Sequence, residues 1–139
     1  MSGKRVVIHK LLSLATVTAI VGTKIGANKA EQAWPPPFIV VTGPGEENRQ
    51  LLTADAEYPR SRIRIECLAS SPMAASTLRN AAFNGLKNVT NELITDGFSP
   101  ADFAAMATII PADFSADGYS DMRDADSEIF DVYVDWREA

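Results

Sequence analysis

The stretch "RSRIRIECLA" (residues 60–69) sets charged side chains against apolar ones at every second position. Ile63, Ile65 and Cys67 fall on one side of an extended chain, and Arg62, Arg64 and Glu66 on the other. That two-residue period predicts a strand with one face buried and one face wet. Three functions compete for it: a basic strand that grips nucleic acid, a cysteine nucleophile among charged neighbours, or a half-buried strand of a small scaffold protein. The alternation ends at Leu68, where the chain leaves the strand toward Ser70, Ser71 and Pro72. Ser-Ser-Pro is a helix opening, with a capping hydroxyl and a first-turn proline.

Upstream, "FIVVTG" (38–43) is the preceding strand and pairs with this one as an antiparallel hairpin. The polar connection 44–59 forms its extended tip. "WPPP" (34–37) is a stiff lead-in, because proline has no N–H to give to a ladder. "GTKIGANKAEQA" (22–33) is loop. Val7, Leu11, Leu14, Thr18 and Val21, widened by Ile8, Leu12 and Ala15, carry the helical period. They predict one helix over roughly 4–20, stopped by Gly22.

Downstream, Ala75, Leu78, Ala82, Leu86, Val89 and Leu93 predict a second helix over about 72–94. "FAAMATIIPADF" (103–114) is a third strand with Pro111 near its end, and "SADGYSDMRDADS" (115–127) is loop. "EIFDVYVDWRE" (128–138) is the fourth strand, with Phe130, Val132, Val134 and Trp136 opposite Asp131, Tyr133 and Asp135. The order α-β-β-α-β-β predicts an α+β fold: an antiparallel sheet of about four strands with two helices packed on one face. At 139 residues the chain is read as a single domain, 1–139, large enough to bury a core without disulfides.

The net charge is −5, which argues against a chain that wraps nucleic acid. The charge is uneven. Residues 1–37 hold Lys4, Arg5, Lys10, Lys24 and Lys29 against Glu31, while residues 101–139 hold ten acids against Arg123 and Arg137. A basic end and an acidic end suit like subunits packing head to tail, but an ordinary solvated surface is the favoured reading of the same charges. The opening 22 residues look like a signal peptide, with basic residues before an apolar run. No small-x-small cleavage site follows, and His9 and Lys10 interrupt a membrane span. The expectation is a soluble amphipathic helix in a cytoplasmic or particle-borne protein, with no membrane partner.

No catalytic constellation emerges. Cys67, the single cysteine, shares a face with Ile63 and Ile65, and the single histidine, His9, lies on the first helix. One His and one Cys cannot build a structural zinc site, and a buried structural thiol is the better reading of Cys67. "TGPGEEN" (42–48) lacks the Gly-Lys-Ser/Thr ending of a phosphate loop and carries two glutamates. Asp117, Asp121, Asp124, Asp126 and Glu128 do not follow the spacing of a twelve-residue calcium loop. "NVT" (88–90) falls inside the second helix, so it is discarded as a glycosylation acceptor. Arg60, Arg62 and Arg64 share their face with Glu66 and have no interleaved aromatic for base stacking. Pairing with acids on a neighbouring strand or subunit explains them at least as well. No cofactor is expected, and the default is a binding or structural protein rather than an enzyme.

The order of segments resembles the tail terminator, or tail-completion, proteins of long-tailed bacteriophages and gene transfer agents. The resemblance rests on "IVGTKI" after the first helix, then "WPPPFIVVTG", "RIRIECLA", the alanine-rich "MAASTLRNAAFNGL" and the closing "IFDVYVDW". It spans about residues 6 to 137, and the order and spacing carry it rather than any single motif. It implies a virion protein without enzymatic activity, assembled in the host cytoplasm. Such a protein forms a six-fold ring at the head-proximal end of the tail tube. The ring ends tube polymerisation and joins the tail to the head connector. Its implied partners are further copies of itself, the tail tube protein and the connector or stopper protein, with DNA only in transit through the lumen. On that footing Glu46, Glu47, Arg49, Leu51, Leu52, Arg60, Arg62 and Arg64 are candidates for the ring or tube interface. Asp117, Asp121, Asp124 and Asp126 are candidates for the lumen or for an adjoining subunit's basic N-terminal segment. The acidic stretch before the last strand is unusual for the family. A connector or stopper subunit is the competing virion reading, and a cytoplasmic ligand-binding module the competing class.

Overall fold

The computed structural model of the chain describes residues 3–27, 34–47, 60–97, 101–120 and 125–138. Its elements in chain order are α1 (Gly3–Leu12), α2 (Ala15–Val21), β1 (Ile25–Ala27), β2 (Phe38–Glu47), β3 (Arg60–Ala69), α3 (Pro72–Leu86), β4 (Glu92–Thr95), β5 (Ala104–Ser120) and β6 (Ala125–Glu138). The described strands form one six-stranded sheet, in the order β1-β2-β3-β6-β5-β4. β1 runs parallel to β2, and the other neighbours are antiparallel. The class is α+β, as expected, but the sheet has six strands rather than about four, and three described helices replace two.

β3 sits inside the sheet, with Ile65 flanked by Val41 of β2 and Phe130 of β6. Burial alternates along β3 as its sequence predicts. Ile39, Val41, Ile63, Ile65, Cys67, Phe130, Val132 and Val134 make the sheet side of the main core. Val6, Val7 and Leu11 of α1 and Leu78, Ala82 and Leu86 of α3 close it from the helix side. Each such wholly buried large side chain contributes about 1.5–3 kcal/mol of transfer free energy. The opposite face carries no helix among the described residues. At one end of it Phe38, Val40, Leu68 and Ala125 form a small second cluster, with Trp34 packed against it.

Five expectations need correction. The first helix is two helices. Leu14 is extended (φ −90°, ψ 111°) between α1 and α2, and its side chain rests where a Cβ on Gly85 of α3 would collide with it. The contact with α3 breaks a helix that its own period would have continued. Second, the supposed loop after Gly22 contains β1. Ile25 is nearly buried in the core, and Ile39 N–H donates to Lys24 O at 3.0 Å. Third, the connection 44–59 begins later, because Gly45, Glu46 and Glu47 pair with Arg62, Ser61 and Arg60 beyond a bulge. Residues 48–59 lie outside those described.

Fourth, α3 stops at Leu86. Its start is as expected: Ser71 Oγ accepts from Ala74 N–H at 3.1 Å, with Pro72 in the first turn. Beyond Leu86 the chain is claimed by the sheet. Ile109 N–H donates to Val89 O, and Asn91 turns with φ +45° while its N–H donates to Thr108 Oγ1 at 2.9 Å. Leu93 then belongs to edge strand β4 and is 56% exposed. Fifth, β5 runs past Pro111. The ladder shifts register between Pro111 and Ser115, a break of the kind that accommodates a residue with no N–H. Ser115–Ser120 then pair with Ala125–Phe130, so much of the expected 115–127 loop is a strand arm.

Candidate functional site

The helix-free face owes its chemistry to register. β3 and β6 set Arg60 opposite Asp135, Arg64 opposite Asp131 and Arg62 opposite Tyr133. The arginines recur at two-residue steps and the aspartates at a four-residue step with Tyr133 between them, so antiparallel pairing sets Arg60 and Arg64 opposite acids and leaves Arg62 to reach diagonally to Asp131. Arg60 grips Asp135 with both ends of its fork, Nε to Oδ1 at 3.0 Å and Nη2 to Oδ2 at 3.2 Å. Its guanidinium carbon also lies 5.3 Å from the Tyr133 ring centroid. Arg62 Nε donates to Asp131 Oδ2 at 3.0 Å, and Arg64 donates to Oδ1 and Oδ2 of the same carboxylate at 3.0 and 3.3 Å.

Asp131 is thus shared. Its side chain is 0% exposed, while those of Arg62 and Arg64 remain 43% and 39% exposed. A carboxylate on an otherwise open face is sealed by the stems and planes of two guanidinium groups. The hydrogen bonds to Asp131 raise the Arg64 pKa above its ordinary value, with burial working against them. The arginines therefore pair with acids on the neighbouring strand of the same chain. A strand whose positive charges are answered this way is a weak phosphate grip.

His9 and Cys67 occupy different surroundings. The His9 ring packs on Phe103 with centroids 4.7 Å apart, at the rim between α1 and the sheet. Burial, then Arg5, lowers its pKa, and Asp96 opposes them. Cys67 is fully buried in the core, and burial, then Glu128, pushes its thiol far above the ordinary range. Among the described residues no group of three His, Cys, Asp or Glu side chains could hold a metal ion. No described helix is long and apolar enough to cross a membrane.

A second feature lies on the helix side. A cleft of about 440 Å³ runs between Pro72, Ala75 and Ser76 of α3 and Gly118, Asp126 and Glu128 of the β5–β6 arm. Glu128 Oε2 is buried with no hydrogen-bond partner among the described residues. Arg79 lies farther along α3, its guanidinium over the Phe83 ring at 4.5 Å.

The candidates from sequence therefore scatter. Arg60, Arg62 and Arg64 form the ladder. Glu46 and Glu47 extend β2 beside Ser61 and Arg60, and Arg49, Leu51 and Leu52 lie outside the described residues. Asp117 sits in β5 opposite Glu128, and Asp126 borders the cleft opposite Ala69 and Tyr119. Asp121 and Asp124 lie outside the described residues. Sequence reasoning overlooked Met73, Leu93 and Ile110, which stand exposed at 79%, 56% and 40%. Leu93 was disguised by its place in the helical period, while no pattern assigned Met73 or Ile110 to a face.

No protein-family model matches the chain. No curated protein matches it in sequence. Among solved structures it is similar to a chain of a virion of a native gene transfer agent particle, with a TM-score of 0.73 at 10% identity. The match covers 99% of this chain and 96% of the other. At that identity it is a likeness of fold.

Proposed function

We propose that this chain is a structural protein of a virion, and within it a tail terminator. In this reading copies of the chain form a six-fold ring at the head-proximal end of the tail tube. The ring halts addition of tube protein on one side and receives the head connector on the other. The observation that carries the reading is the whole-chain fold likeness to a protein of a gene transfer agent particle, with almost nothing left over on either side. The segment order "IVGTKI", "WPPPFIVVTG", "RIRIECLA" and "IFDVYVDW" supports it independently.

The activity is surface matching rather than bond chemistry. One ring face mimics the end of the tube and the other does not, so growth stops. Each subunit contact needs about 1,200–2,000 Å² of buried surface to hold such a ring. Six copies at −5 each give a strongly acidic ring, and an acidic lining lets DNA pass without the counterion release that makes Lys and Arg surfaces stick. Asp117, Asp121, Asp124 and Asp126 serve the lumen or an adjoining subunit. The segment from Glu46 through Leu52 reaches the tube or a neighbour. The ring is built in the host cytoplasm and remains in the virion.

Particles produced without this chain test the reading. A terminator's loss gives tails of uncontrolled length. A connector's loss gives tails of normal length that carry no heads, which would favour the stopper alternative. Absence of the chain from purified tails of complete particles would remove the terminator reading.

A further inference from the structure

We infer that neighbouring copies join edge to edge, the outer arm of β5 in one copy laying its backbone along β1 of the next. The inference rests on the ring reading and names the seam between its subunits.

The seam follows from register. Ladder pairs carry one row across the sheet from Ile25 through Ile39, Cys67 and Glu128 to Asp117. The next rows run from Gly26 to Ala116 and from Ala27 to Ser115. β1 and the start of the β5 arm therefore lie in the same rows, on opposite borders of the sheet. Among the described residues neither border carries a further strand there.

The free backbone groups correspond as well. Ile109 N–H donates to Val89 O, away from β6, so the Ile109–Val134 pair exchanges no bonds. That state recurs at every second residue along β6, whose ladder with β3 is unbroken. Opposite Phe130, Glu128 and Asp126, the N–H and C=O of Ser115, Asp117 and Tyr119 thus face the open border. On β1, Lys24 O accepts from Ile39 N–H, so Lys24 and Gly26 face β2 while Ile25 and Ala27 face outward. Ile25 N–H is already given to Thr23 O at 2.8 Å, which leaves its C=O. Ala27 and Ser115 of adjacent copies can exchange both their bonds, and Asp117 N–H can reach Ile25 C=O.

Direction agrees too. β1 runs parallel to β2, and three antiparallel steps separate β2 from β5, so β1 and β5 run antiparallel. Copies related by rotation about an axis along the strands keep those senses. β5 of one copy then meets β1 of the next as an antiparallel pair. The two edges differ, so the contact is head to tail and repeats until the rotation closes. Pairing β5 on β5 would leave every β1 edge open and stop at two copies. An added strand is held by main-chain hydrogen bonds. Here they fix register and direction, and side chains flanking the seam supply the area that a ring needs.

Cysteines at Ala27 and Ser115 test this. Both residues are exposed, and a hydrogen-bonded antiparallel pair brings its Cα atoms to about 5.5 Å, within disulfide reach. Cys67 is buried and stays silent in the folded chain. A27C, S115C and A27C/S115C are oxidised both as purified full-length chain and within purified tails. The double variant gives a ladder of covalent multimers. A mixture of the two single variants gives dimers only, and either single variant alone gives none. Dimers from S115C alone would mean β5 on β5 and would overturn the inference. So would the absence of a ladder in tails that retain the double variant, which would leave the ring reading standing. Hydrogen exchange on the unmodified chain gives a readout that needs no variant. On assembly into tails the amides of Ala27, Ser115 and Asp117 become slow, whereas those of Ala116 and Gly118, already bonded to β6, are slow in both states. Unchanged exchange at Ala27 and Ser115 would likewise overturn the inference. A chain absent from tails and monomeric at every concentration would overturn both it and the ring reading.

Discussion

Arg64 Nε donates to Asp131 Oδ1 at 3.0 Å on the face of the sheet that carries no helix, and Asp131 is wholly buried there. Arg62 holds the same carboxylate from the other side. Removing one arginine leaves Asp131 a partner, whereas removing both leaves a desolvated charge with none of its guanidinium donors. R62A and R64A should each cost about 1 kcal/mol, since both side chains are well exposed. The double variant should cost about 1 kcal/mol more than the sum, because the orphaned acceptor is then the dominant loss. A double-mutant cycle from urea unfolding reads the coupling directly, and strict additivity would show that the carboxylate is not shared.

Gly85 has a role that helix propensity opposes. Alanine there would ordinarily stabilise α3 by a few tenths to about 1 kcal/mol. Here its Cβ would meet the Leu14 side chain, so G85A should destabilise by about 1–3 kcal/mol. Trimming the neighbour should relieve it: the penalty for G85A should shrink when measured in an L14A background. An equal penalty in both backgrounds would place the strain elsewhere.

His9 is held below its ordinary pKa of 6.5 by burial first and Arg5 second. The unfolded chain therefore takes up the proton more readily than the folded one. The stabilising contribution is complete above about pH 6.5 and is lost as the pH falls toward the folded value. Unfolding midpoints taken between about pH 5 and 8 should fall more steeply on the acid side for the native chain than for H9Q. Parallel profiles for the two would assign the acid sensitivity to the carboxylates.

Cys67 should be inert to thiol reagents in the folded protein, because burial disfavours its thiolate and blocks access. Its labelling rate should rise in urea along the same curve as global unfolding. Fast labelling in buffer would contradict the packing of β3 against the helices. C67S should cost about 1–3 kcal/mol, the penalty for burying a hydroxyl without an assured partner.

The parts of the fold that were legible are those where one element decides its own fate. β3 alternates because one face is buried, and α3 begins where Ser71 can cap and Pro72 can start a turn. The misread parts depend on contacts across the chain. The break at Leu14 is set by a glycine on another helix. β1 is too short to show a period and exists because β2 lies alongside. Val89 and Leu93 continue the phase of α3, yet the hydrogen bonds of Ile109 and Thr108 draw that segment into the sheet. Pro111 reads as a terminator of its strand until the ladder is seen to shift register just beyond it. For the arginine ladder, the two-residue step of Arg60, Arg62 and Arg64 and the common face of Asp131, Tyr133 and Asp135 were visible. The sharing of Asp131 was not, because it depends on which residues face one another. The exposed Leu93 was hidden because it keeps the helical period of the residues before it, and period alone does not distinguish a covered face from a bare one.

The short border strands cover only part of the long inner ones: β4 pairs with β5 over Ala104–Ala107, and β1 with β2 over Ile39–Val41. Among the described residues the rest of β5, out to Ser120, borders no further strand. A long free edge is a template on which another chain can lay its own backbone, and proline and irregularity are the devices that blunt it. Pro111, which has no N–H to offer, and the register shift just beyond it interrupt this edge, so its outer arm does not continue one uninterrupted row of donors and acceptors.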